Sequence, residues 1–394
     1  MSTLLFIFGR THELSFHELQ ALTSYPLTKI TTDVVRVEDV NDEIIPEEFV
    51  KRLGGTVKIA WEKGAIDTIE PAGIVHYLGD FGGGSATFGL SFYGTDREHV
   101  DPQILKGVKE ILASKGMSSR YVAPHEGTTL SSVVIAKQRV HELIVVALDP
   151  GFIVGETIVV QDFELWNQRD YGRPFADPKA GMLPPKVARM AVNLASSFTR
   201  SPGNPSPTLL DPFCGMGTIV GEAVLSGWNV IGSDKSEEVV EKAKKNLEWL
   251  ASQGTTLRGS KVVPYEFLVS DATHLSDVIP PSSIDAIVTE PFMGSTDINS
   301  KISHSSFTIE DIKNTIKGLE KLYIGCLRDW QRILKPGGKI VIALPQYAIS
   351  GRTYFVKNVI DRCENLGYTI SAGPLSYSRP QAVVRRQFFV LTKK

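Results

Sequence analysis

Residues 208–218 read Thr208-Leu-Leu-Asp211-Pro-Phe-Cys214-Gly215-Met-Gly217-Thr218. A short apolar run ends on an acid, turns through two glycines and opens a stretch, to about residue 226, with helical character. Gly215 and Gly217 allow the backbone to approach a ligand where a Cβ would clash. The unbonded N–H groups at a helix start attract a carboxylate. Working outward, the same strand–helix alternation repeats. Residues 229–233 form a strand ending at Asp234, and residues 237–250 carry Val239, Val240, Ala243, Leu247 and Leu250 on one helical side. Strands follow at 267–270, before Asp271, and at 284–289, before Glu290-Pro-Phe-Met-Gly294. A long helix over 309–334 is expected to break or kink near Gly318 or Gly325. Lys335-Pro-Gly-Gly338 reads as a turn, 339–344 as a strand and 354–366 as a helix. Strands at 368–372 and 387–391 form an antiparallel pair at one edge. The pattern predicts an α/β fold: a seven-stranded sheet covered on both faces.

The first half reads differently. Strands are expected at 4–8, 31–37, 56–60, 87–93, 131–136, 142–148 and 156–160, and helices at 15–22, 46–53 and 102–115. Ser15 with Glu18 three residues on has the form of a capping box. This mixture indicates one or two small α+β modules over residues 1–160. Residues 161–185, with Trp166, Arg169, Tyr171, Arg173 and four prolines, read as an ordered linker to a domain over 186–394. Residues 202–207 read as a helix-to-strand loop. Gly82-Gly-Gly84 has no helix pattern after it and reads as a hairpin.

The chain has 42 Lys and Arg against 44 Asp and Glu, a net charge of −2, with 42% hydrophobic and 22% charged residues. Disordered and fibrous classes are excluded. The charge is unevenly placed: residues 1–160 hold 14 basic and 21 acidic side chains, a balance of −7, and residues 161–394 hold 28 and 23, a balance of +5. A polyanionic partner therefore leans on the second half and on local patches; the −7 balance argues against RNA binding by the first half unless basic residues such as Lys51, Arg52, Lys58 and Lys63 cluster on one face. The longest apolar run, from Leu143 to Leu148, is six residues, against the ~20 a membrane span requires. Met1-Ser-Thr lacks a charged leader segment, so no signal peptide is expected. Cys214, Cys326 and Cys363 have no paired spacing, which argues against a disulfide framework or a metal site. These features point to a soluble, cytoplasmic protein without a membrane partner.

Four successive strand ends carry the chemistry. The glycine loop can approach a ligand, Asp234 is placed 23 positions after Asp211 to accept two ribose hydroxyls, Asp271 can meet an adenine amino group, and Glu290 stands beside the loop. That series points to S-adenosylmethionine, without a metal. A dinucleotide site would favour G-x-G-x-x-G, which the loop lacks. The exocyclic amine of a base is a poor nucleophile because its lone pair is delocalised. The Glu290 carboxylate and the Pro291 carbonyl can accept its two N–H bonds and aim the lone pair at a methyl group. Phe292 or Met293 can form an apolar platform for a flipped base. Cys214 reads as a small packing residue, since no histidine lies nearby in sequence. Lys242, Lys244 and Lys245 read as a solvated helix face and His125 as surface. Arg379, Arg385 and Arg386 read either as phosphate contacts or as surface charge. Arg169, Tyr171 and Arg173 read either as RNA contacts or as a lock between domains.

The loop, Asp234, Asp271 and Thr289-Glu-Pro-Phe-Met-Gly294 resemble the Rossmann-like class I amino-methyltransferases. More narrowly, Phe8-Gly-Arg-Thr-His-Glu-Leu-Ser15, Arg52-Leu-Gly-Gly-Thr-Val-Lys-Ile59, Arg169-Asp-Tyr-Gly-Arg-Pro174 and Gly181-Met-Leu-Pro-Pro-Lys-Val-Ala188 resemble the THUMP-bearing tRNA guanine-N2 methyltransferases of the guanosine-10 type. The resemblance implies an N-terminal ferredoxin-like module, a THUMP module holding the tRNA 3′ end, a linker and a catalytic domain. It implies S-adenosylmethionine as cofactor and tRNA as partner. The implied cofactor site comprises Met182, Asp211, Phe213, Cys214, Gly215, Gly217, Thr218, Asp234, Lys235, Asp271 and Ala272, and the catalytic group Glu290, Pro291 and Phe292. One departure stands out: where the family has Asp-Pro-Pro-Tyr-Gly, this chain has Glu290-Pro-Phe-Met-Gly294. The expected activity is methyl transfer to the exocyclic N2 of a tRNA guanosine. The alternatives are a catalytically silent S-adenosylmethionine- and RNA-binding protein, or an amino-methyltransferase of adenine or cytosine in DNA or RNA.

Overall fold

The computed structural model describes residues 2–41, 44–79, 86–95, 101–176, 182–199, 207–253, 264–294, 308–349, 351–379 and 382–394. The chain divides into two units: Met1–Phe16 with Thr23–Glu164, and His17–Leu22 with Leu165–Lys394. The triple-glycine stretch and residues 202–206 of the expected helix-to-strand loop lie outside the described residues.

The elements of the first part of the chain are β1 (Ser2–Phe8), α1 (His12–Leu22), β2 (Leu27–Lys29), β3 (Val34–Val40), α2 (Pro46–Arg52), β4 (Thr56–Ile66) and α3 (Pro71–Leu78). They continue with β5 (Ala86–Tyr93), α4 (Ile104–Ser114), β6 (Ser119–Val122), α5 (Ser132–Gln138), β7 (His141–Ala147) and β8 (Phe152–Val160). All eight strands share one sheet in the order β2-β3-β1-β4-β8-β7-β5-β6. β5 is parallel to both β6 and β7, while β8 pairs antiparallel with β4 and β7. Ile74, Val75 and Leu78 of α3 and Leu105, Val108 and Leu112 of α4 cluster with Phe88, Leu90, Leu143 and Val154. This burial gives two amphipathic helices their place.

Two local expectations fail here, and two elements appear that are not expected. Residues 131–136, whose β-branched run reads as a strand, form a helix. Ser131 caps it by accepting from the Val134 amide at 3.3 Å, and Ile135 buries against Leu130 and Val140. Tertiary burial overrides strand propensity there. Ser15 does not cap α1, which starts three residues earlier, at His12; its hydroxyl bonds back to the Thr11 carbonyl at 2.7 Å. Residues 71–78 are helical and 119–122 a strand, neither of which the local pattern announces.

The second part of the chain holds α6 (Phe163–Tyr171), α7 (Pro185–Thr199), β9 (Thr208–Asp211), α8 (Thr218–Leu225), β10 (Asn229–Asp234), α9 (Glu237–Ser252), β11 (Tyr265–Val269) and β12 (Ile284–Thr289). It continues with α10 (Ile309–Ile333), β13 (Leu334–Ile349), β14 (Arg352–Phe355), α11 (Lys357–Asp361), β15 (Tyr368–Tyr377) and β16 (Val384–Lys393). The sheet runs β11-β10-β9-β12-β13-β16-β15, with β14 as a short hairpin arm on β13. β9 to β13 are mutually parallel and β16 is antiparallel to its neighbours. All six residues of β12 are buried, the signature of a strand covered on both faces.

α10 is continuous through both glycines at which a break is expected. A Cβ at Gly318 would meet nothing, and one at Gly325 would come within 3.4 Å of Thr273. The helix is secured by a capping box between Thr308 and Asp311 and by burial of Leu319, Tyr323, Leu327, Trp330 and Ile333 at helical spacing. Lys335-Pro-Gly-Gly338 lies inside β13 as an irregularity, where the pairing with β12 jumps from Leu334 to Lys339. Gly337 adopts φ +73° there. The helix expected over 354–366 is replaced by β14, the short α11 and a 3-10 turn at Glu364–Leu366.

Candidate active site

The carboxyl ends of β9, β10, β11 and β12 bring the predicted groups to one edge of the sheet. After β9 the chain turns at Cys214, whose amide donates to the Ser233 carbonyl at 2.8 Å, and the Gly217 amide donates to the Cys214 carbonyl at 2.7 Å. Gly215 and Gly217 take φ +49° and +81°, the left-handed region in which a side chain is strained. A Cβ on Gly215 would meet nothing closer than the Phe213 carbonyl at 4.0 Å, so space beside the loop is open. α8 starts at Gly217 without a side-chain cap, which leaves its first amides to a ligand.

Asp211 is buried. Its Oδ1 accepts from the Thr289 hydroxyl at 2.8 Å and the Phe213 amide at 3.2 Å, tying the loop to the end of β12. Burial pushes its pKa up to about 7; the two hydrogen bonds oppose this, and the nearby Asp234 and Glu290 add to it. Asp234 accepts from the Ser236 amide at 3.0 Å, and its carbonyl accepts from the Ser270 amide at 3.1 Å. Asp271 accepts from the Thr273 hydroxyl at 2.6 Å and amide at 2.8 Å. These bonds hold its carboxyl below the usual range, with His274 and Lys235 as smaller contributors.

Ala272 is buried, and its carbonyl accepts from the Trp330 indole at 2.9 Å. Trp330 also meets the Phe213 ring edge-on at 6.4 Å. One tryptophan of α10 thus joins two strand ends that sequence separates. Thr218 Oγ1 accepts from Arg173 at 2.7 Å. The Met182 carbonyl accepts from Arg379 at 3.3 Å. The Cys214 thiol is buried, and that burial pushes its pKa well up, the wrong direction for a nucleophile.

Glu290 follows β12 directly. Arg386 of β16 donates from Nε to its Oε1, and the Leu183 amide also bonds the carboxylate. Burial raises the Glu290 pKa, while Arg386 and Arg379 pull it back. Pro291 is buried and Phe292 is 55% exposed, an apolar ring presented outward at the strand tip. The carbonyls of Phe292 and Met293 accept from Tyr323 and Tyr347, each at 2.6 Å, so two tyrosines brace the turn that carries the acid.

Several of these residues escape a linear reading. Arg386 is not a solvated surface charge: it is 9% exposed and turned onto Glu290. The available signal was an arginine within an apolar strand, which demands a partner; Arg385 beside it is exposed. Asn246 on α9 donates to the Met216 and Phe175 carbonyls, both at 2.9 Å, and holds the glycine loop from behind. The linker arginines turn inward as well. Arg169 stacks on Trp166 at 3.7 Å and reaches Glu222 at 3.0 Å, where the buried Arg189 also bonds. Tyr171 is 79% exposed. Lys242 and Lys245 pair with Glu238 and Glu241 along an exposed helix face, and His125 is exposed.

The methyltransferase domain family matches residues 204–371. The fold is that of a Rossmann-like methyltransferase. The tRNA (guanine(10)-N2)-dimethyltransferase of Pyrococcus abyssi is 30% identical over 219 residues, which are 56% of this chain and 52% of that one. The enzyme of the same description from Methanothermobacter thermautotrophicus is 32% identical over 203 residues, 51% of this chain and 50% of that one. The chain thus spans about half the length of the curated relatives it matches. Among solved structures, SMU.472, described as a methyltransferase complexed with SAH, is 12% identical and superposes with a TM-score of 0.50 over 98% of this chain and 97% of that one; this likeness concerns the fold alone. Among the described residues no helix is long and apolar enough to cross a membrane.

The donor set fits S-adenosylmethionine: an open glycine turn, an uncapped helix start, carboxylates at two neighbouring strand ends and a partly exposed Phe213 ring. This combination suits a nucleoside carrying two vicinal hydroxyls and a charged amino-acid tail.

Proposed function

We propose that the protein methylates the exocyclic N2 of a guanosine in tRNA. The observation that carries this reading is the half-buried carboxylate of Glu290, which stands at the end of the strand beside the glycine loop. The names of the two archaeal relatives support the choice of tRNA and of guanine N2. In this reading Asp234 and Asp271 hold the nucleoside end of the cofactor. The turn at Gly215 and Gly217, with Phe213, Cys214, Thr218, Lys235 and Ala272 around it, forms its bed, and Met182 borders its amino-acid end. When bound, S-adenosylmethionine supplies a sulfonium methyl group whose bonding electrons stay on sulfur as the amine lone pair forms the new N–C bond.

The rest is the work of the chain. Glu290 accepts one N–H of the amine and the Pro291 carbonyl accepts the other, which fixes the direction of the lone pair. Once the nitrogen has been alkylated its proton passes to the Glu290 carboxylate or to water at the strand tip. Phe292 stacks the target base. Tyr323 and Tyr347 keep the turn from relaxing. Asp211, tied to Thr289, positions the loop. Residues 1–160 serve as a ferredoxin-like and THUMP-like RNA-capture region, residues 161–185 as the linker, and residues 186–394 as the catalytic domain.

The test is incubation with methyl-labelled S-adenosylmethionine and an unmodified tRNA transcript, followed by mass spectrometry of the nucleosides. Label in N2-methylguanosine is the expected outcome. Label in adenosine or cytidine redirects the substrate, and cofactor binding without transfer to any nucleoside rejects the enzyme assignment.

A further inference from the structure

We infer that Arg386 is the positioning residue of the strand-end acid, clamping the Glu290 carboxylate so that it meets the incoming amine in one fixed orientation. The inference rests on the reading of Glu290 as the amine-orienting acid. Glutamate carries one more methylene than the aspartate of the resembled family. Left to rotate, its carboxylate would be spread over several rotamers, and orientation is what this chemistry demands. The structure supplies the missing constraint from two sides. Arg386 donates from Nε to Oε1, and the Leu183 amide bonds the same carboxylate.

Arg386 is itself held in place. It lies on β16 opposite Pro345 of β13 and Tyr377 of β15, with its guanidinium carbon 5.8 Å from the Tyr377 ring centre. The next residue, Gln387, is pinned on both sides: it donates to Gln346 at 3.0 Å and accepts from Ser376 at 2.7 Å. The strand pairing sets the reach. Thr289 is level with Ile342 on β13, and Pro345, three residues further toward the carboxyl edge, is level with Arg386. An arginine at that register position overhangs the end of β12, where Glu290 follows. The ionisable groups facing Glu290 are Asp211, Tyr323, Arg379 and Arg386. Burial raises the Glu290 pKa, and the two arginines, Arg386 foremost, pull it back toward the charged carboxylate. No bond to Arg386 forms or breaks; it acts through Glu290.

The experiment uses the full chain as wild type, Arg386→Gln and Arg386→Lys. The readouts are kcat and KM for tRNA methylation across pH, the S-adenosylmethionine Kd by calorimetry, and thermal melting. Arg386→Gln is expected to lower kcat about 100-fold, leave the cofactor Kd within about threefold and move the acidic limb of the pH–rate profile upward, because Glu290 loses its nearest cation. Arg386→Lys keeps the charge without the rigid Nε donor and is expected to recover about tenfold of that loss. Wild-type kcat in a folded Arg386→Gln overturns the inference, as does a loss confined to melting temperature and cofactor Kd. Should Arg386→Gln fail to fold, Arg386→Lys with unaltered kcat and pH profile overturns it equally. A wild-type protein that transfers no methyl overturns the functional reading first, and the role of Arg386 with it.

Discussion

Glu142 in the first unit and Glu290 in the second are both acids facing a cation, the first fully buried and the second half-buried, and that difference separates their surroundings. Glu142 is 0% exposed and accepts from Lys58 at 2.6 Å, Thr157 at 2.6 Å and Ser91. Ser91 in turn accepts from the Leu130 amide at 2.8 Å. These groups come from β4, β5, β7 and β8, in the middle of a sheet. Glu290 retains 17% exposure, lies beyond the end of its strand and faces Arg386 and a backbone amide. A buried pair satisfied by neighbouring strands locks register and partner choice; the same chemistry at a strand tip can still receive a ligand.

The largest effect is expected from breaking the closed pair. Lys58→Met leaves an uncompensated carboxylate inside the sheet and should cost about 3–5 kcal/mol of stability, read from the urea midpoint. A loss below about 1 kcal/mol would erase the contrast. Glu290→Gln should do the reverse. It keeps size and an acceptor but removes the charge, so methylation should fall at least about 100-fold, about 2.7 kcal/mol of barrier, with the loss of activity outweighing any loss of stability. Equal tRNA methylation by wild type and variant would reduce Glu290 to a structural acid like Glu142.

Asp211 sharpens the comparison, because it is a buried acid whose hydrogen-bond donors are a hydroxyl and an amide. Its ordinary value of 3.8 rises to about 7 on folding. The folded state therefore binds the proton more tightly, and the stability it contributes at low pH is lost as pH climbs from about 4 to about 7. Asp211→Asn, which keeps an acceptor for Thr289, should flatten the urea-midpoint profile in that window and be the more stable form at pH 8. An unchanged slope would mean that Asp211 does not govern it. The smallest effect belongs to Tyr347→Phe, which strips one hydrogen bond from the Met293 carbonyl. About 1 kcal/mol is expected, seen as a fewfold drop in kcat at constant cofactor Kd; a tenfold weaker cofactor would place the tyrosine elsewhere in the mechanism.

Much of the second unit was legible along the chain because its information is local. The run into Asp211, the two glycines, and the acids closing successive apolar stretches each specify their own turn, and their order is enough to define a doubly covered sheet. The first unit was less legible. At residues 131–136 a β-branched run reads as a strand until Leu130 and Val140 provide a hydrophobic seat for a helix. Ser15 reads as a cap until the helix is found to begin before it.

The sequence by itself determined which residues end each strand of the second sheet and that a glycine turn opens beside them, since backbone conformation at such points depends on residue type over a few positions. Only the tertiary structure decided what those residues touch. Glu290 meets Arg386, 96 positions away, because β16 inserts antiparallel beside β13. Tyr323, Trp330 and Tyr347 reach the strand ends because α10 and β13 bring them there. Contacts of that separation are set by strand order and register, which arise from the packing of the whole sheet and leave no mark in the spacing of neighbouring residues.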